Sequence, residues 1–258
     1  MYIDTHAHIT KKYYEDICQV IKEAKHNNVG IIINIGTNDD EFDDVIDIAK
    51  ANDEIYGVIG YYPDCIEKIN NLLYLEQNLN NPKVVAIGEI GLEYHNLSNK
   101  EEQRKLFSQQ VELAIAYNLP IVVHSRDAIN ETYEILKSYK CDKLRGIIHC
   151  YSGSYEMAEK FIKLGFYLGI GGPYTFKNNV KGLEVIEKIP LEFLVLETDS
   201  PYLTPHPFRG TKNTPAYIPY IAEKIAIVKD IPVEKVMEVT TINALKVYNI
   251  NINEYNLI

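Results

Sequence analysis

Histidine and carboxylate side chains that can bind a divalent cation recur along this sequence, each close behind a short apolar run. They are His6, His8, Glu89, His124, His149 and Asp199. Mixed imidazole and carboxylate ligands bind divalent transition metals, and two such cations side by side activate water. The six residues therefore predict the metal centre of a hydrolase.

The first two histidines lie in the segment Asp4-Thr5-His6-Ala7-His8. Alternate residues of a strand point to the same face, so both imidazoles can reach one cation. An isolated pair with this spacing is also typical of ordinary polar residues at a strand end. The four other candidates favour the interpretation as metal ligands.

Glu89 and Asp199 are the candidate catalytic carboxylates. Glu89 directly follows an apolar run, and its two oxygens can bridge two cations. Asp199 is expected to bind one cation and to accept a proton from the attacking water. His124 and His149 follow consecutive predicted strands and would serve the second cation. Glu197 lies in the same segment as Asp199, and its role stays open.

Two arginines are candidate clamps for an anionic substrate. Arg126 follows one predicted strand, and Arg209 lies in the long irregular segment 200–215. A guanidinium group binds phosphate through paired hydrogen bonds, although a plain surface arginine is the alternative for each. Segment 200–215 directly follows the last candidate ligand, so we expect it to fold over the site. Gly171 and Gly172 permit close approach of the backbone to a ligand, and a simple turn would explain them equally well.

Short apolar runs rich in valine and isoleucine predict the strands that must position these side chains. They are Tyr2–Asp4, Ile31–Ile35, Tyr56–Gly60, Val84–Gly88, Ile121–His124, Gly146–His149, Phe166–Ile170 and Leu194–Glu197. Continuous apolar runs are typical of parallel strands that are buried on both faces. Since the carboxyl ends of such strands meet at one mouth of a closed barrel, the candidate ligands would gather there.

Stretches with helical spacing alternate with these runs. They cover residues 14–26, 41–51, 64–79, 100–117, 128–139, 155–164 and 180–188, and two more follow the last strand at 216–228 and 233–248. Repeated alternation of strand and helix predicts an α/β fold, a (β/α)8 TIM barrel that forms a single domain over residues 1–258. A doubly wound open sheet is the competing architecture. It would present one crevice at a switch point and not a mouth that several strands supply with ligands.

The composition limits the class of protein further. The net charge of −10 argues against a protein that coats nucleic acid by bulk attraction, but not against an enzyme whose bound cations attract an anion locally. The four cysteines include no C-x-x-C pair, so neither a disulfide framework nor a thiolate zinc site is predicted. Without a signal segment or a long apolar stretch, we expect a cytoplasmic protein with no membrane association and no obligate protein partner.

The motifs taken together resemble those of the TatD family of metal-dependent deoxyribonucleases, within the wider group of amidohydrolase-like barrels. The matching segments are Asp4–His8, Gly88–Leu92, Pro120–Ala128, His149–Ser154, Glu197–Leu203, Arg209–Gly210 with Asn213, and Thr240–Asn243. They are distributed over essentially the whole chain. The resemblance implies two divalent metal ions (Mg, Mn or Zn), one held by His6, His8, Glu89 and Asp199, and the other by Glu89, His124 and His149.

The resemblance also implies an activity, the hydrolysis of DNA phosphodiester bonds from an end by water that two metal ions activate. It adds Tyr151 and Ser152 to Arg126 and Arg209 as contacts of the DNA substrate. Four positions depart from the family pattern: Glu93 stands where Asp is usual, Tyr62 where His is usual, Tyr151 replaces Phe, and Thr214 replaces an acidic residue or proline. None of the four is a predicted metal ligand, so the departures concern the substrate pocket.

Two other kinds of function compete with a nuclease. The same scaffold serves amidohydrolases of small molecules and could cleave an ester linked to a nucleic acid, such as an aminoacyl-tRNA. Some of these barrels bridge their metals with a modified lysine on the fourth strand, where this chain has Glu89, whereas Lys83 lies at the opposite end of that strand. A catalytically idle nucleic-acid-binding protein is the other alternative, and the acidic charge and complete ligand set both argue against it.

Overall fold

The strands form one parallel sheet that is arranged in chain order. In the computed structural model, which describes residues 1–251, the strands are β1 (Tyr2–Ala7), β2 (Val29–Gly36), β3 (Ile55–Ile59), β4 (Val84–Glu93), β5 (Ile121–Arg126), β6 (Gly146–Ile148), β7 (Phe166–Ile170) and β8 (Leu194–Leu196). Each strand pairs with the next one in sequence. Helices alternate with the strands, and β1 meets the segment after β8, so the structure confirms the predicted (β/α)8 barrel.

The helices follow the strands and cover the sheet. They are α1 (Ile17–His26), α2 (Asp39–Ala51), α3 (Leu73–Asn78), α4 (Lys100–Tyr117), α5 (Ile129–Ser138), α6 (Tyr155–Lys163), α7 (Val180–Lys188), α8 (Ile218–Lys229) and α9 (Val233–Tyr248). Asp16, Asn38 and Ser154 cap α1, α2 and α6 by accepting hydrogen bonds from backbone N–H groups of the first turn. Within residues 1–251, none of the helices combines the length and the apolar character needed to cross a bilayer.

The single helix predicted at residues 64–79 is wrong. The structure has a 3₁₀ turn at Ile66–Lys68 and then the short helix α3. Between them, Asn70 has a φ of 64°, a left-handed conformation that asparagine tolerates and that interrupts a right-handed helix. Its backbone N–H donates a hydrogen bond to the Gln109 side chain of α4 at 3.1 Å. This tertiary contact competes with helix continuation, and the local sequence pattern does not reveal it.

The barrel interior is filled by residues from one face of the strands. Ile31 and Ile33 of β2 belong to this inner cluster, together with Val247 of α9. The intervening Ile32 packs into the larger cluster between sheet and helices. Helix α9 covers the end at which the strands begin, since the Asn243 side-chain amide donates to the first carbonyl of β8 at 2.7 Å. The opposite mouth, at the carboxyl ends of the strands, is therefore left for a site.

A buried carboxylate closes the barrel between β1 and the segment after β8. Asp4 is 0% exposed, and its oxygens accept hydrogen bonds from the Thr198 backbone N–H (2.9 Å) and the Thr198 hydroxyl (2.6 Å). A backbone hydrogen bond joins the same two segments, because the Asp199 N–H donates to the His6 carbonyl at 2.9 Å. We call the Asp4–Thr198 pair the Asp4 clasp. It joins the backbone that carries the first two histidines to the backbone that carries Asp199.

Replacing Asp4 with alanine should lower the free energy of unfolding by roughly 2–4 kcal/mol, because the buried Thr198 donors lose their acceptor. Urea denaturation followed by circular dichroism measures this change. The exposed Asp47 on α2 offers a matched control, and its replacement with alanine should change stability by no more than about 0.5 kcal/mol. Equal effects of the two substitutions would show that the clasp does not stabilise the barrel.

Candidate metal centre

Two strands that carry candidate ligands contain register irregularities at the ligand positions. Glu89 lies inside β4, not after it as the sequence predicts, because β4 extends beyond the apolar run. From Ile87 to Ile90, β4 advances three residues while its partner β5 advances two. The pairing of β1 with β2 shifts in a similar way between Asp4 and Ala7, around His6. Such bulges change the direction of side chains and are common beside active sites.

Glu89 lies at the centre of the cluster. Its Oε2 atom is 3.4 Å from His6 Nε2 and 3.8 Å from His8 Nε2. Its Oε1 atom is 2.7 Å from His124 Nδ1 and 3.6 Å from His149 Nε2. The two oxygens of one carboxylate thus face two different histidine pairs.

Asp199 completes the cluster on the side of His6 and His8. Its Oδ1 atom is 3.7 Å from His6 Nε2 and 3.6 Å from His8 Nε2. The two Nε2 atoms are 3.3 Å apart, so the two imidazoles face one point, as their spacing in the sequence predicts. The structure therefore brings together all six candidate ligands, although they come from distant parts of the chain.

The spacing of these atoms fits a bound divalent cation. Ligand atoms at about 2.1 Å from a tetrahedral ion lie about 3.4 Å from one another. The separations among the ligand atoms of His6, His8, Glu89 and Asp199 quoted above are close to this value. Three overlapping groups have ligand atoms within 4.8 Å of one another: His6–His149–Asp199, His6–His8–Glu89 and Glu89–His124–His149. The cluster can therefore bind metal ions.

The electrostatics of the cluster also favour cations. Burial acts to raise the pKa of Glu89, but the imidazoles of His149 and His124 hold the pKa of this carboxyl well below its usual range. Burial acts to lower the pKa of His149, but the carboxylates of Glu197 and Glu89 raise it to about 10. Glu89 is thus ionised at neutral pH, and the surrounding side chains favour positive charge on the imidazole of His149, whereas burial lowers the pKa of His6. A divalent cation would replace the bound protons as that positive charge.

Glu197, whose role the sequence leaves open, lies behind His149. It is 0% exposed, and its Oε1 atom lies 3.3 Å from His149 Nδ1 and accepts a hydrogen bond from the Cys150 N–H at 2.5 Å. The other nitrogen of the same ring faces Glu89. A carboxylate behind a metal-binding histidine orients the ring and raises its basicity. The signal in the sequence is its position directly after an apolar run, the same position that identifies the candidate ligands.

Two of the residues that depart from the family pattern support His124. His124 Nε2 lies 3.2 Å from Glu93 Oε2 and 3.1 Å from the Tyr62 hydroxyl oxygen. Burial acts to raise the pKa of Glu93, but hydrogen bonds from His124 and from the Asn96 N–H lower it to about 2. Glu93 is therefore an ionised carboxylate that orients the ring whose other nitrogen faces Glu89. Glu93 and Tyr62 therefore contact a candidate ligand and also line the cavity beside it.

The cluster opens into a cavity of about 1010 Å³ at the mouth of the barrel. Arg126 and Ser152 line this mouth cavity and are exposed, so both predicted substrate contacts are accessible. Tyr151 also lines it, but it is only 2% exposed, and its hydroxyl donates to the Ser154 carbonyl at 2.5 Å. This hydrogen bond holds the loop after β6 and leaves the Tyr151 hydroxyl engaged within the protein.

The structure places Arg209 apart from the described residues that line the mouth cavity. Arg209 lines a neighbouring cavity of about 390 Å³, where its guanidinium lies 4.9 Å from the centre of the Phe176 ring. The start of segment 200–215 does reach the mouth, because Tyr202 and Leu203 line the large cavity. The expectation that this segment folds over the site is thus confirmed for its first residues.

Gly172 allows a close backbone approach, as the sequence suggests, but the group that approaches it is another segment of the protein and not a ligand. A Cβ atom at this position would lie 1.9 Å from the Leu203 carbonyl oxygen. A side chain larger than hydrogen would therefore push segment 200–215 away from the loop after β7. Gly172 serves the packing of these two loops at the mouth.

Lys83 lies at the end of the barrel opposite to the mouth, as the sequence predicts. Its ammonium group donates to the backbone carbonyls of Asn52, Asp53 and Ile55, each at 3.0 Å. These contacts lie where β3 and β4 begin. A bridging role for this lysine at the metal centre is therefore incompatible with the fold.

The barrel of residues 1–251 and its cluster of histidines and carboxylates define the class of protein, a metal-dependent hydrolase. The family described as TatD related DNase matches residues 3–249. The chain belongs to this family.

Relatives resemble the chain over nearly its full length. The uncharacterized metal-dependent hydrolase YabD of Bacillus subtilis is 42% identical over 255 residues, which cover 97% of this chain and 100% of that protein. The crystal structure of YjjV, a TatD homolog from Escherichia coli, superimposes with a TM-score of 0.90 at 31% identity, covering 97% of this chain and 98% of that one. A hydrolase of the TatD family from Entamoeba histolytica has a TM-score of 0.84 at 26% identity, with 96% and 97% covered.

Replacing Glu197 with glutamine should weaken divalent-cation binding by about 10- to 100-fold, because the neutral amide no longer raises the basicity of His149. Isothermal titration with Mn²⁺ or Zn²⁺ measures the affinity. Glu192→Gln is the matched control, because Glu192 is exposed and lies shortly before β8. This variant should bind the cation as tightly as the wild type does. Unchanged affinity in Glu197→Gln would contradict the supporting role.

Proposed function

We propose that this protein is a deoxyribonuclease that uses two divalent metal ions and removes nucleotides from an end of DNA. The observation that carries the proposal is the orientation of Glu89, whose two oxygens face different histidine pairs. A carboxylate shared in this way would suit two neighbouring cations, which would supply Lewis acidity at a phosphodiester. Membership of a family described as TatD related DNase supports DNA as the substrate.

Two overlapping ligand sets would hold the ions. His6, His8, Glu89 and Asp199 form one set, and Glu89, His124 and His149 form the other. When bound, the two cations supply Lewis acidity that polarises the phosphodiester and lowers the pKa of a nearby water. Among Mg, Mn and Zn, the four histidines favour zinc or manganese, since magnesium prefers ligands that are all oxygen.

Asp199 is the candidate proton acceptor. Burial acts to raise its pKa, but the nearby imidazoles of His8 and His149 lower it, so the carboxylate is ionised at neutral pH. Its side chain is 13% exposed and lines the mouth cavity, compared with 5% for Glu89. An ionised carboxylate that reaches the cavity can accept a proton from water as the bond to phosphorus forms. Glu89 is more enclosed, which suits its position between the two ligand sets.

Cationic side chains at the mouth would bind the DNA backbone. Arg126, Lys12 and Lys181 line the cavity, and a guanidinium group binds phosphate through paired hydrogen bonds. Because the chain has a net charge of −10, attraction of DNA depends on these local charges and on the bound cations. We assign Arg126 and Ser152 to the phosphate nearest the metal centre, and Arg209 to a phosphate further along the strand.

Replacing Glu89 with glutamine should weaken both cation sites, whereas His124→Ala should weaken one, because Glu89 faces both histidine pairs and His124 belongs to one of them. Each protein is dialysed against buffer that contains the metal, and its metal content is then measured by mass spectrometry. The wild type should contain about two ions per chain, Glu89→Gln fewer than about one, and His124→Ala about one. Glu134→Gln, exposed on α5, is the control and should retain the wild-type content. A wild type that binds one ion would overturn the two-ion centre.

Replacing Asp199 with asparagine should reduce metal-dependent DNA cleavage by roughly 10³-fold or more, since both a cation ligand and the proton acceptor are lost. The assay follows single- and double-stranded DNA, labelled at either end, across Mg, Mn and Zn with a chelator control. Asp142→Asn, exposed after α5, should retain full activity. Full activity in Asp199→Asn would remove its assigned role. A wild type that binds DNA equally well with chelator and never cleaves it would instead support the idle binding protein.

A further inference from the structure

Two tyrosines form one side of the mouth cavity beside the metal centre. Tyr13 and Tyr202 both line this cavity. Their ring centroids are 5.8 Å apart with the planes at 75°, and the Tyr202 hydroxyl donates a hydrogen bond to the Tyr13 hydroxyl at 3.0 Å. The ring of the candidate ligand His8 lies 6.3 Å from Tyr13 and 6.1 Å from Tyr202. The tyrosine pair is therefore adjacent to the ligand set of His6 and His8.

The two rings differ in how accessible they are. Tyr202 is 46% exposed, and the neighbouring Leu203 is 40% exposed. Tyr13 is half-buried, and the Lys12 ammonium lies 5.0 Å from the centre of its ring. A large ring left nearly half exposed inside a cavity offers apolar surface that a flat ligand can bury. Tyr202 is therefore the ring available to a ligand, and Tyr13 supports it.

The backbone around Tyr202 is held in a defined position. The Tyr202 N–H donates to the Asp199 carbonyl at 2.8 Å, and its own carbonyl accepts a hydrogen bond from the Asn213 side-chain amide at 2.6 Å. The next carbonyl, of Leu203, packs against Gly172. These contacts tie the ring to a candidate metal ligand three residues earlier. A group stacked on Tyr202 would thus stand at a set distance from the metal centre.

We propose that Tyr202 is a stacking platform for one nucleobase of the DNA strand that is cut, and that Tyr13 positions its ring. The inference rests on the proposed nuclease function and adds recognition of an unpaired base. Every base has a flat π face, so an aromatic side chain stacks on it without reading sequence. A base inside a duplex is already stacked between its neighbours, so the platform favours single strands and frayed ends. The Lys12 charge beside the platform suits the flanking phosphate.

The test compares single-stranded oligonucleotides that differ by one missing base. Each contains a tetrahydrofuran abasic residue at the first, second or third position from one end. In the wild type, kcat/KM should fall about tenfold when the abasic residue occupies the position that reaches Tyr202. This dependence on the base should shrink to within about twofold in Tyr202→Ala and persist in Tyr202→Phe, which keeps the ring. Ile227→Ala, exposed on α8, is the surface control and should keep the full dependence.

Fluorescence anisotropy with the same oligonucleotides and a chelator gives a second readout that does not depend on cleavage. If the wild type cleaves DNA but no abasic position matters, or if Tyr202→Ala keeps the dependence, the stacking platform is wrong while the nuclease stands. If the wild type cleaves no DNA with any metal, the proposed function fails. In that case, a binding preference for the intact oligonucleotide that disappears in Tyr202→Ala would still support the platform, and equal binding of intact and abasic strands would overturn it.

Discussion

The Asp4 clasp joins two parts of the chain that are 194 residues apart, and the metal centre depends on that junction. Burial raises the pKa of the Asp4 carboxyl to about 7, although hydrogen bonds from the Thr198 hydroxyl and amide act to lower it. The residues beside the clasp are candidate ligands: His6 follows Asp4 by two positions, and Asp199 follows Thr198 directly. Closing the barrel and bringing these ligands together are therefore the same structural event. The same closure places Tyr202 next to His8.

The resulting centre buries carboxylates and imidazoles against one another. Glu89 and Asp199 have lowered pKa values despite burial, because imidazoles surround them, and the imidazole of His149 has a raised pKa because carboxylates surround it. Supporting carboxylates, Glu197 behind His149 and Glu93 behind His124, hold the rings in place. These buried polar side chains contribute little hydrophobic stabilisation to the fold. The cluster is instead suited to binding divalent cations.

Much of this could be predicted from the sequence. Strands buried on both faces leave continuous apolar runs, and the eight predicted runs correspond to the strands found in residues 1–251. The ligand positions could be predicted because they follow such runs. The interruption of the predicted helix at residues 64–79 could not be predicted, because the Asn70 N–H donates a hydrogen bond to the Gln109 side chain of another helix. The sequence places Arg209 in a long irregular segment, and only the structure shows that its guanidinium lies over the Phe176 ring in a neighbouring cavity, because the course of a long loop depends on tertiary packing.

The sequence by itself thus determined the (β/α)8 barrel, the mouth at which the site lies and the six candidate ligands. Burial pattern and residue type are local properties, and both can be read from the sequence. Only the tertiary structure decided the distances among these side chains, with the two oxygens of Glu89 facing different histidine pairs. The bulges in β1 and β4 turn His6 and Glu89, and a bulge depends on pairing with a neighbouring strand. It also decided that Glu197 and Glu93 stand behind the histidines and that Tyr202 faces the cavity. These are relations between side chains far apart in sequence, and no local pattern encodes their distances.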